Sequence, residues 1–344
     1  MLRLAVLGAG LIGREHIARI AGSPEASLAA VVDPSPAAAA IAAAHTAPWY
    51  PDFATMLAAV RPDGVIVATP NQMHRDHGLA VIAAGIPVLV EKPIADTLEA
   101  AEALVTAAEA TGVPLLVGHH RRHSKMIRRA RAIIESGQLG RIVAVHGFFW
   151  LVKPDAYFDV AWRREPGAGP VLLNLIHDID LLRHFCGEVA SVQAFGSNAV
   201  RGFPVDDSCV VSLRFTSGAL GTITVSDTIP APWSWEQTAG ENPAYPRTGE
   251  ACYQIGGTLG ALSIPSLELW SSESERSWWQ PLQRSRVYDT DADPLVEQIA
   301  QFCRVIRGAE PPLVPGREGR ASLRVIHAIQ QAAATGQRVD LLPG

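Results

Sequence analysis

Leu2-Arg3-Leu4-Ala5-Val6-Leu7-Gly8-Ala9-Gly10-Leu11-Ile12-Gly13 is the stretch whose reading decides the fold. The apolar run Leu2–Leu7 reads as a buried strand, and Leu11–Ala21, with Ile12, Ile17 and Ile20, as the helix it feeds. Between them the glycines have separate tasks: a tight turn at Gly8, close backbone approach to a pyrophosphate at Gly10, and close packing of helix on strand at Gly13. The helix opens at Leu11 and Ile12, where unpaired N–H groups and the positive end of the dipole favour phosphate. A second apolar run, 28–32, ends in Asp33, twenty residues after Gly13. Strand, helix, second strand and acid together separate this pattern from an ordinary glycine-rich turn. A carboxylate at Asp33 accepts hydrogen bonds from both ribose hydroxyls and repels a 2′-phosphate, and Pro34-Ser35-Pro36 supplies no cation to offset that. The expected cofactor is NAD rather than NADP.

With 344 residues, 48% apolar and 18% charged, the chain has material for two cores, and two domains are expected. A net charge of -5 carries no electrostatic footprint for nucleic acid. The one dense basic run, 119–131, reads as a helix start facing solvent or as a site for an anionic substrate. Cys186, Cys209, Cys252 and Cys303 show no C-x-x-C spacing, so reduced core thiols are expected, with no disulfide framework and no zinc. No apolar stretch approaches the ~20 residues that span a bilayer, and the N-terminus lacks a signal h-region. A soluble cytoplasmic protein with a small-molecule substrate is expected.

From residue 1 to about 122, short Val/Ile/Leu runs (2–7, 28–32, 64–68, 87–90, 114–117) alternate with alanine-rich helical segments (37–45, 53–60, 74–84, 97–111). Strict alternation means a doubly wound parallel sheet with helices on both faces, a Rossmann domain. From residue 123 to 344 the pattern changes to longer alternating runs (142–150, 189–197, 208–215, 220–227, 252–256, 267–270) with a helix at 172–185 and two closing helices, 295–306 and 317–334. That pattern implies an α+β domain with a large, mostly antiparallel open sheet. The connection 226–249, with Trp233, Trp235 and Tyr245, is longer than loops run without a function or an interface.

Thr69-Pro70-Asn71-Gln72-Met73-His74 follows the run 64–68, at the carboxyl edge where open α/β sheets bind ligands. It reads as a proline turn with Asn71 capping the next helix, and compatibly as a cofactor contact through Thr69, Pro70, Asn71 and His74. The run 87–90 ends at the same edge in Glu91-Lys92-Pro93, which by itself reads most simply as an exposed loop cation. On the helix 172–185, Leu173, Ile176, Ile179, Leu182 and Phe185 mark a buried face, with Asn174, His177, Asp180 and His184 beside it. The stripe is either structural or a cleft lining with His177 as general base. With no second His cluster at ligand spacing, no metal is expected.

Assembled, these residues resemble the Gfo/Idh/MocA family of glucose-fructose oxidoreductase and inositol dehydrogenase over essentially the full length: Gly8 to Gly13 with His16, Asp33, Thr69-Pro70-Asn71 with His74, Glu91-Lys92-Pro93, Gly118 with Arg122, the His177 to Leu182 stretch, and the last helix. The resemblance implies a Rossmann domain, a second domain whose large sheet pairs subunits into a homodimer or homotetramer, and hydride transfer between NAD(P) and a secondary alcohol of a cyclic polyol, sugar or related ring alcohol. It implies Glu91 and Lys92 at the cofactor, Lys92 as the catalytic lysine, commonly followed by a cis proline, and His177 as the general acid/base. Two departures stand out. Many members carry Asp four residues before that histidine; here Leu173 occupies the position and the polar residue is Asn174. His119-His120-Arg121-Arg122 is also more basic than the common pattern.

In the chemistry these residues permit, His177 takes the O–H proton, Lys92 stabilises the developing alkoxide, and Asn174 holds a neighbouring hydroxyl. Other readings of the same residues are a dehydrogenase of a carboxylated cyclic diol read by Arg121, Arg122 or Arg163, a redox-assisted glycosidase, and a dinucleotide-sensing protein without turnover.

Overall fold

The computed structural model describes residues 1–272, 277–287 and 292–341, so the end of the expected second domain, 342–344, lies outside the described residues. The chain divides into two compact units, Met1–His123 with Asp293–Leu323, and Ser124–Ala292 with Arg324–Gly344.

The first unit runs β1 (Leu2–Leu7), α1 (Leu11–Ala21), β2 (Ala26–Val32), α2 (Ala38–Ala44), β3 (Trp49–Tyr50), α3 (Phe53–Ala59), β4 (Gly64–Val67), α4 (His74–Ala83), β5 (Val88–Val90), α5 (Leu98–Thr111) and β6 (Leu115–Val117). Its six strands are parallel in the order β3-β2-β1-β4-β5-β6. The order reverses beside β1, which is the switch point of a doubly wound sheet. The strands read as unbroken apolar runs because both faces are covered, and Leu4, Val6, Val31, Ile66, Leu89 and Leu116 pack with Ile17 and Ile20 of α1. Asp52 and Thr97 cap α3 and α5 by accepting the amides of Thr55 and Ala100.

The sequence pattern passed over β3, whose two residues are too short to show a period. It pairs with Val31 and Val32 of β2.

The second unit contains α6 (Lys125–Glu135), β7 (Ile142–Trp150), α7 (Pro170–Leu173), α8 (Leu175–Cys186), β8 (Val189–Ser197), β9 (Ser208–Phe215), β10 (Leu220–Ser226), α9 (Trp235–Ala239), β11 (Tyr253–Gly257), β12 (Gly260–Ile264), β13 (Glu268–Ser271) and β14 (Gln283–Arg286). Then follow α10 (Pro294–Ile306), α11 (Gly316–Thr335) and β15 (Val339–Asp340). Nine strands form one sheet in the order β14-β13-β12-β11-β7-β10-β9-β8-β15, antiparallel except for the β7–β10 pair. The expected mostly antiparallel sheet is therefore present. On β9 buried Cys209, Val211, Leu213 and Phe215 alternate with outward residues, the signature of a sheet covered on one face.

One expectation about organisation differs from the structure. The helix α10, expected within 123–344, belongs to the first unit: Ile299, Phe302 and Cys303 join the Leu4 and Val6 core. Gly64 at the start of β4 admits it, since a Cβ there would lie 2.6 Å from the Ile306 Cδ1 and 2.9 Å from the Phe302 ring. The four cysteines are free and buried, as their spacing suggested, and burial lifts the Cys186 and Cys209 thiols to about 12.

Candidate active site

The turn from β1 into α1 is built by steric exclusion. Gly8 has φ +94, and a Cβ on it would lie 2.5 Å from the Ala68 carbonyl oxygen at the end of β4. A Cβ on Gly13 would lie 1.9 Å from the Gly8 oxygen, while Gly10 faces open space. Helix α1 starts with no side-chain cap and no acid in its first turn, leaving the amides at Leu11 and Ile12 directed at whatever approaches Gly10. Asp33 follows β2 with Oδ2 accepting from the Ala9 amide at 2.8 Å and Oδ1 from the Ser35 amide at 2.9 Å. Each oxygen keeps a lone pair for a ribose hydroxyl. β3, which the sequence did not reveal, pins that strand end: Trp49 Nε1 donates to the Asp33 carbonyl at 3.0 Å. A cradle that any Cβ would fill, beside a fixed carboxylate at the switch point, fits a dinucleotide.

β1, β4 and β5 are neighbours in the sheet, so Thr69, Pro70 and Asn71 after β4, and Glu91 and Lys92 after β5, leave the same carboxyl edge as the glycines. Asn71 opens a single 3-10 turn, Asn71–Met73, ahead of α4. The Lys92–Pro93 bond is cis. Glu91 is buried, with Oε1 2.7 Å from His16 Nε2 and Oε2 accepting the Lys92 amide at 3.1 Å. Burial would raise its pKa, but the His16 hydrogen bond and charge, with Lys92 and His120, hold it at about 2. Gly118 makes room for this carboxylate: a Cβ there would lie 2.8 Å from it. Burial drives His120 down to about 3, with Arg121, Lys92 and His16 acting in the same direction against Glu91.

His74 is 1% exposed, with Nδ1 2.8 Å from the Pro93 oxygen and Nε2 2.8 Å from the Thr69 oxygen. Burial pushes its pKa down, against both carbonyls and the charges of Glu91 and Asp96. The basic run divides: from Lys125 it starts α6, where Arg128 and Arg129 are exposed, while its first part is buried. Arg121, Arg122 and His123 are buried in the turn His120–His123, and Arg122 Nη2 lies 3.1 Å from Glu318.

In the second unit, α7 hands over to α8 at Asn174. An amphipathic α8 was expected, yet every residue from Leu175 to Cys186 except His184 is buried. A helix covered all round carries its polar residues inside. His177 is 6% exposed and Asp178 fully buried. Asp178 accepts from the hydroxyl of Tyr253 on β11, whose ring packs 6.2 Å from that of Trp235. Asn174 Oδ1 is buried with no hydrogen-bond partner among the described residues, which fits an acceptor for a substrate hydroxyl. Arg163 lies in the turn Ala161–Arg164, its guanidinium 4.1 Å over the Tyr157 ring and Nη1 donating to the Tyr157 oxygen at 2.8 Å. No cluster of three or more His, Cys, Asp or Glu suited to a metal occurs among the described residues. No helix among them is long and apolar enough to cross a membrane.

Residues 2–119 match a family model described as "Oxidoreductase family, NAD-binding Rossmann fold", and residues 127–263 match a "GFO/IDH/MocA C-terminal domain". A 1,5-anhydro-D-fructose reductase of Ensifer adhaerens is 30% identical over 294 residues, 82% of this chain and 80% of that protein. The chain belongs to the Gfo/Idh/MocA family. A second relative, the rhizopine catabolism protein MocA of Rhizobium meliloti, is 27% identical and spans 95% of this chain and 93% of its own. Among solved structures, the WlbA dehydrogenase of Bordetella pertussis in complex with NADH and UDP-GlcNAcA superposes with a TM-score of 0.81 at 26% identity, covering 100% of this chain and 99% of that one.

As a Gfo/Idh/MocA protein, the chain is an oxidoreductase with an NAD-binding Rossmann domain. Two features around the family's residues escaped the sequence reading. The His16–Glu91 pair joins residues 75 apart, with only the lone histidine among the apolar positions of α1 to hint at it. Tyr253 and Asp178, also 75 apart, left no signal in either segment.

Proposed function

We propose that this protein is an NAD-dependent dehydrogenase of a secondary alcohol on a cyclic polyol, sugar or related ring alcohol. The observation that carries the reading is Lys92 held at the strand edge next to the glycine cradle, its amide on Glu91 and Glu91 on His16. NAD, when bound, supplies the hydride acceptor. The Lys92 ammonium hydrogen-bonds the substrate oxygen and stabilises charge developing on it. His177 takes the hydroxyl proton, and Asn174 Oδ1 accepts from a neighbouring hydroxyl, which orients the ring. In the reverse direction His177 donates the proton and Lys92 polarises the carbonyl.

Arg122 is already paired with Glu318 and Arg163 is stacked on Tyr157, which weighs against either as the anchor of a carboxylated substrate. A panel of cyclic polyols, aldoses, cyclic diol acids and aryl glycosides, followed by NADH absorbance, tests the reading. Net NADH formation with a neutral ring alcohol supports it. Turnover of the diol acids alone, or aglycone release without net NADH, would replace it.

We further infer a homodimer or homotetramer built on the open face of the nine-stranded sheet. Phe195, Val210, Thr224 and Phe148 form one cross-strand row over β8, β9, β10 and β7, with Phe195 67% and Val210 48% exposed. Self-complementary burial of such a row suits a two-fold interface. Light scattering behind gel filtration checks it: a Val210→Lys protein should run at a lower mass than the unaltered one, and a unaltered protein already monomeric at micromolar concentration would contradict the inference.

A further inference from the structure

His74 opens α4 with a ring that has no face left for a ligand. Its two nitrogens each lie 2.8 Å from a main-chain carbonyl, that of Thr69 in the loop after β4 and that of Pro93 in the loop after β5. β4 and β5 are adjacent, so the ring stands between the two loops that leave the carboxyl edge there, and burial favours its neutral form, which donates through one nitrogen only. Within the second loop Lys92 is already held on its amide side, through Glu91 Oε2 and the His16–Glu91 pair. The carbonyl of the following residue, Pro93, is the one that faces His74 Nδ1. Two buried histidines thus stand against the backbone on either side of a single lysine.

We propose that His74 carries its ring proton on Nδ1, donates it to the Pro93 carbonyl, and through that bond is a positioning residue for Lys92 and not a ligand of the cofactor. Loss of that hydrogen bond releases the loop after β5 from the start of α4 and shifts the Lys92 side chain relative to the glycine cradle. The functional consequence rests on the role given to Lys92 above; the structural consequence does not.

The chain has only three lysines, Lys92, Lys125 and Lys153, which makes the coupling directly visible. Reductive methylation with 13C-formaldehyde labels these amines and the N-terminus, and the Lys92→Arg protein identifies the Lys92 resonance by its disappearance. In His74→Ala, and in His74→Gln, whose flexible amide does not keep the rigid ring's fixed N–H position, the Lys92 resonance is expected to move or broaden while those of Lys125 and Lys153 stay in place. The dissociation constant for NAD should stay within about twofold, since only the lysine loop is released. With the best ring alcohol of the panel, kcat should fall at least ~10-fold, the scale of an ångström-level misplacement. In the Lys92→Ala background the same change should cost nothing further, because the route through which His74 acts is gone. A Lys92 resonance unmoved in folded His74→Gln overturns the proposal, as does a large loss of NAD affinity with that resonance unmoved. A moved resonance combined with full turnover in Lys92→Ala upholds the coupling and rejects the catalytic role of Lys92 instead.

Discussion

Tyr253, in the middle of the nine-stranded sheet, donates its hydroxyl to Asp178, the residue that follows His177 on α8. Both are fully buried, so the bond ties the sheet to the helix at the position next to the proposed base. Tyr253→Phe strips a buried carboxylate of a donor and should destabilise the protein by about 1–3 kcal/mol. Urea unfolding measures the loss. An unchanged midpoint would mean that the bond contributes nothing to stability.

Gly10 and Gly13 should separate cofactor binding from folding. A methyl on Gly13 meets the Gly8 carbonyl at 1.9 Å, so Gly13→Ala should lower the melting temperature as well as NAD affinity. Gly10 has open space, so Gly10→Ala should melt like the unaltered protein yet bind NAD weakly, because the methyl stands where the pyrophosphate backbone contact forms. Thermal melts with and without NAD distinguish the two variants.

Asp33, fixed by the Ala9 and Ser35 amides, should impose a preference for NAD. Asp33→Ser removes both the ribose hydrogen bonds and the repulsion of a 2′-phosphate, so NAD should bind more weakly and the gap to NADP should narrow. Fluorescence titration with both dinucleotides checks this, and equal affinities in the unaltered protein would refute it.

Lys92→Ala and His177→Ala should each lower kcat by at least ~10²-fold while leaving the NAD dissociation constant nearly unchanged. Assigned to one substrate oxygen, the two should be non-additive: the double variant loses less than the product of the single losses. Strict multiplicativity in steady-state kinetics would assign them to independent steps.

Acid should unfold the first unit through Glu91 and His120. Glu91 sits at about 2 when folded against an ordinary 4.5, so between those values the unfolded chain binds a proton that the folded chain refuses. The stability it contributes is whole above pH 4.5 and is lost as pH falls towards 2. His120, at about 3 against 6.5, is neutral in both states above pH 6.5 and draws the equilibrium towards the unfolded chain below it. Each adds up to ~1.4 kcal/mol per pH unit within its window. His120→Gln should flatten the stability profile between pH 6.5 and 4.5, and Glu91→Gln should flatten it below 4.5, as read from urea midpoints.

The sequence by itself determined the architecture of the first unit and the place of its cofactor. Leu2 to Gly13, the apolar run to Val32 and Asp33 are local patterns, and local patterns survive in one dimension because strand period, glycine turns and helix starts depend on neighbours along the chain. The same holds for β7, β8, β9, β10, β11 and β13 of the nine-stranded sheet, whereas β12, β14 and β15 went unread. Tertiary structure alone decided what those residues lean on. Trp49–Tyr50 is a strand only because β2 pairs with it, and α10 joins the first unit because Gly64 leaves room for Phe302 and Ile306. The burial of α8 on every side, with Asp178 on Tyr253, has no periodic trace. The two anchors beside Lys92, Glu91 on His16 and Pro93 on His74, join residues 75 and 19 apart. Such contacts form because the parallel sheet sets separate strand ends side by side, an adjacency that no composition or spacing along the chain encodes.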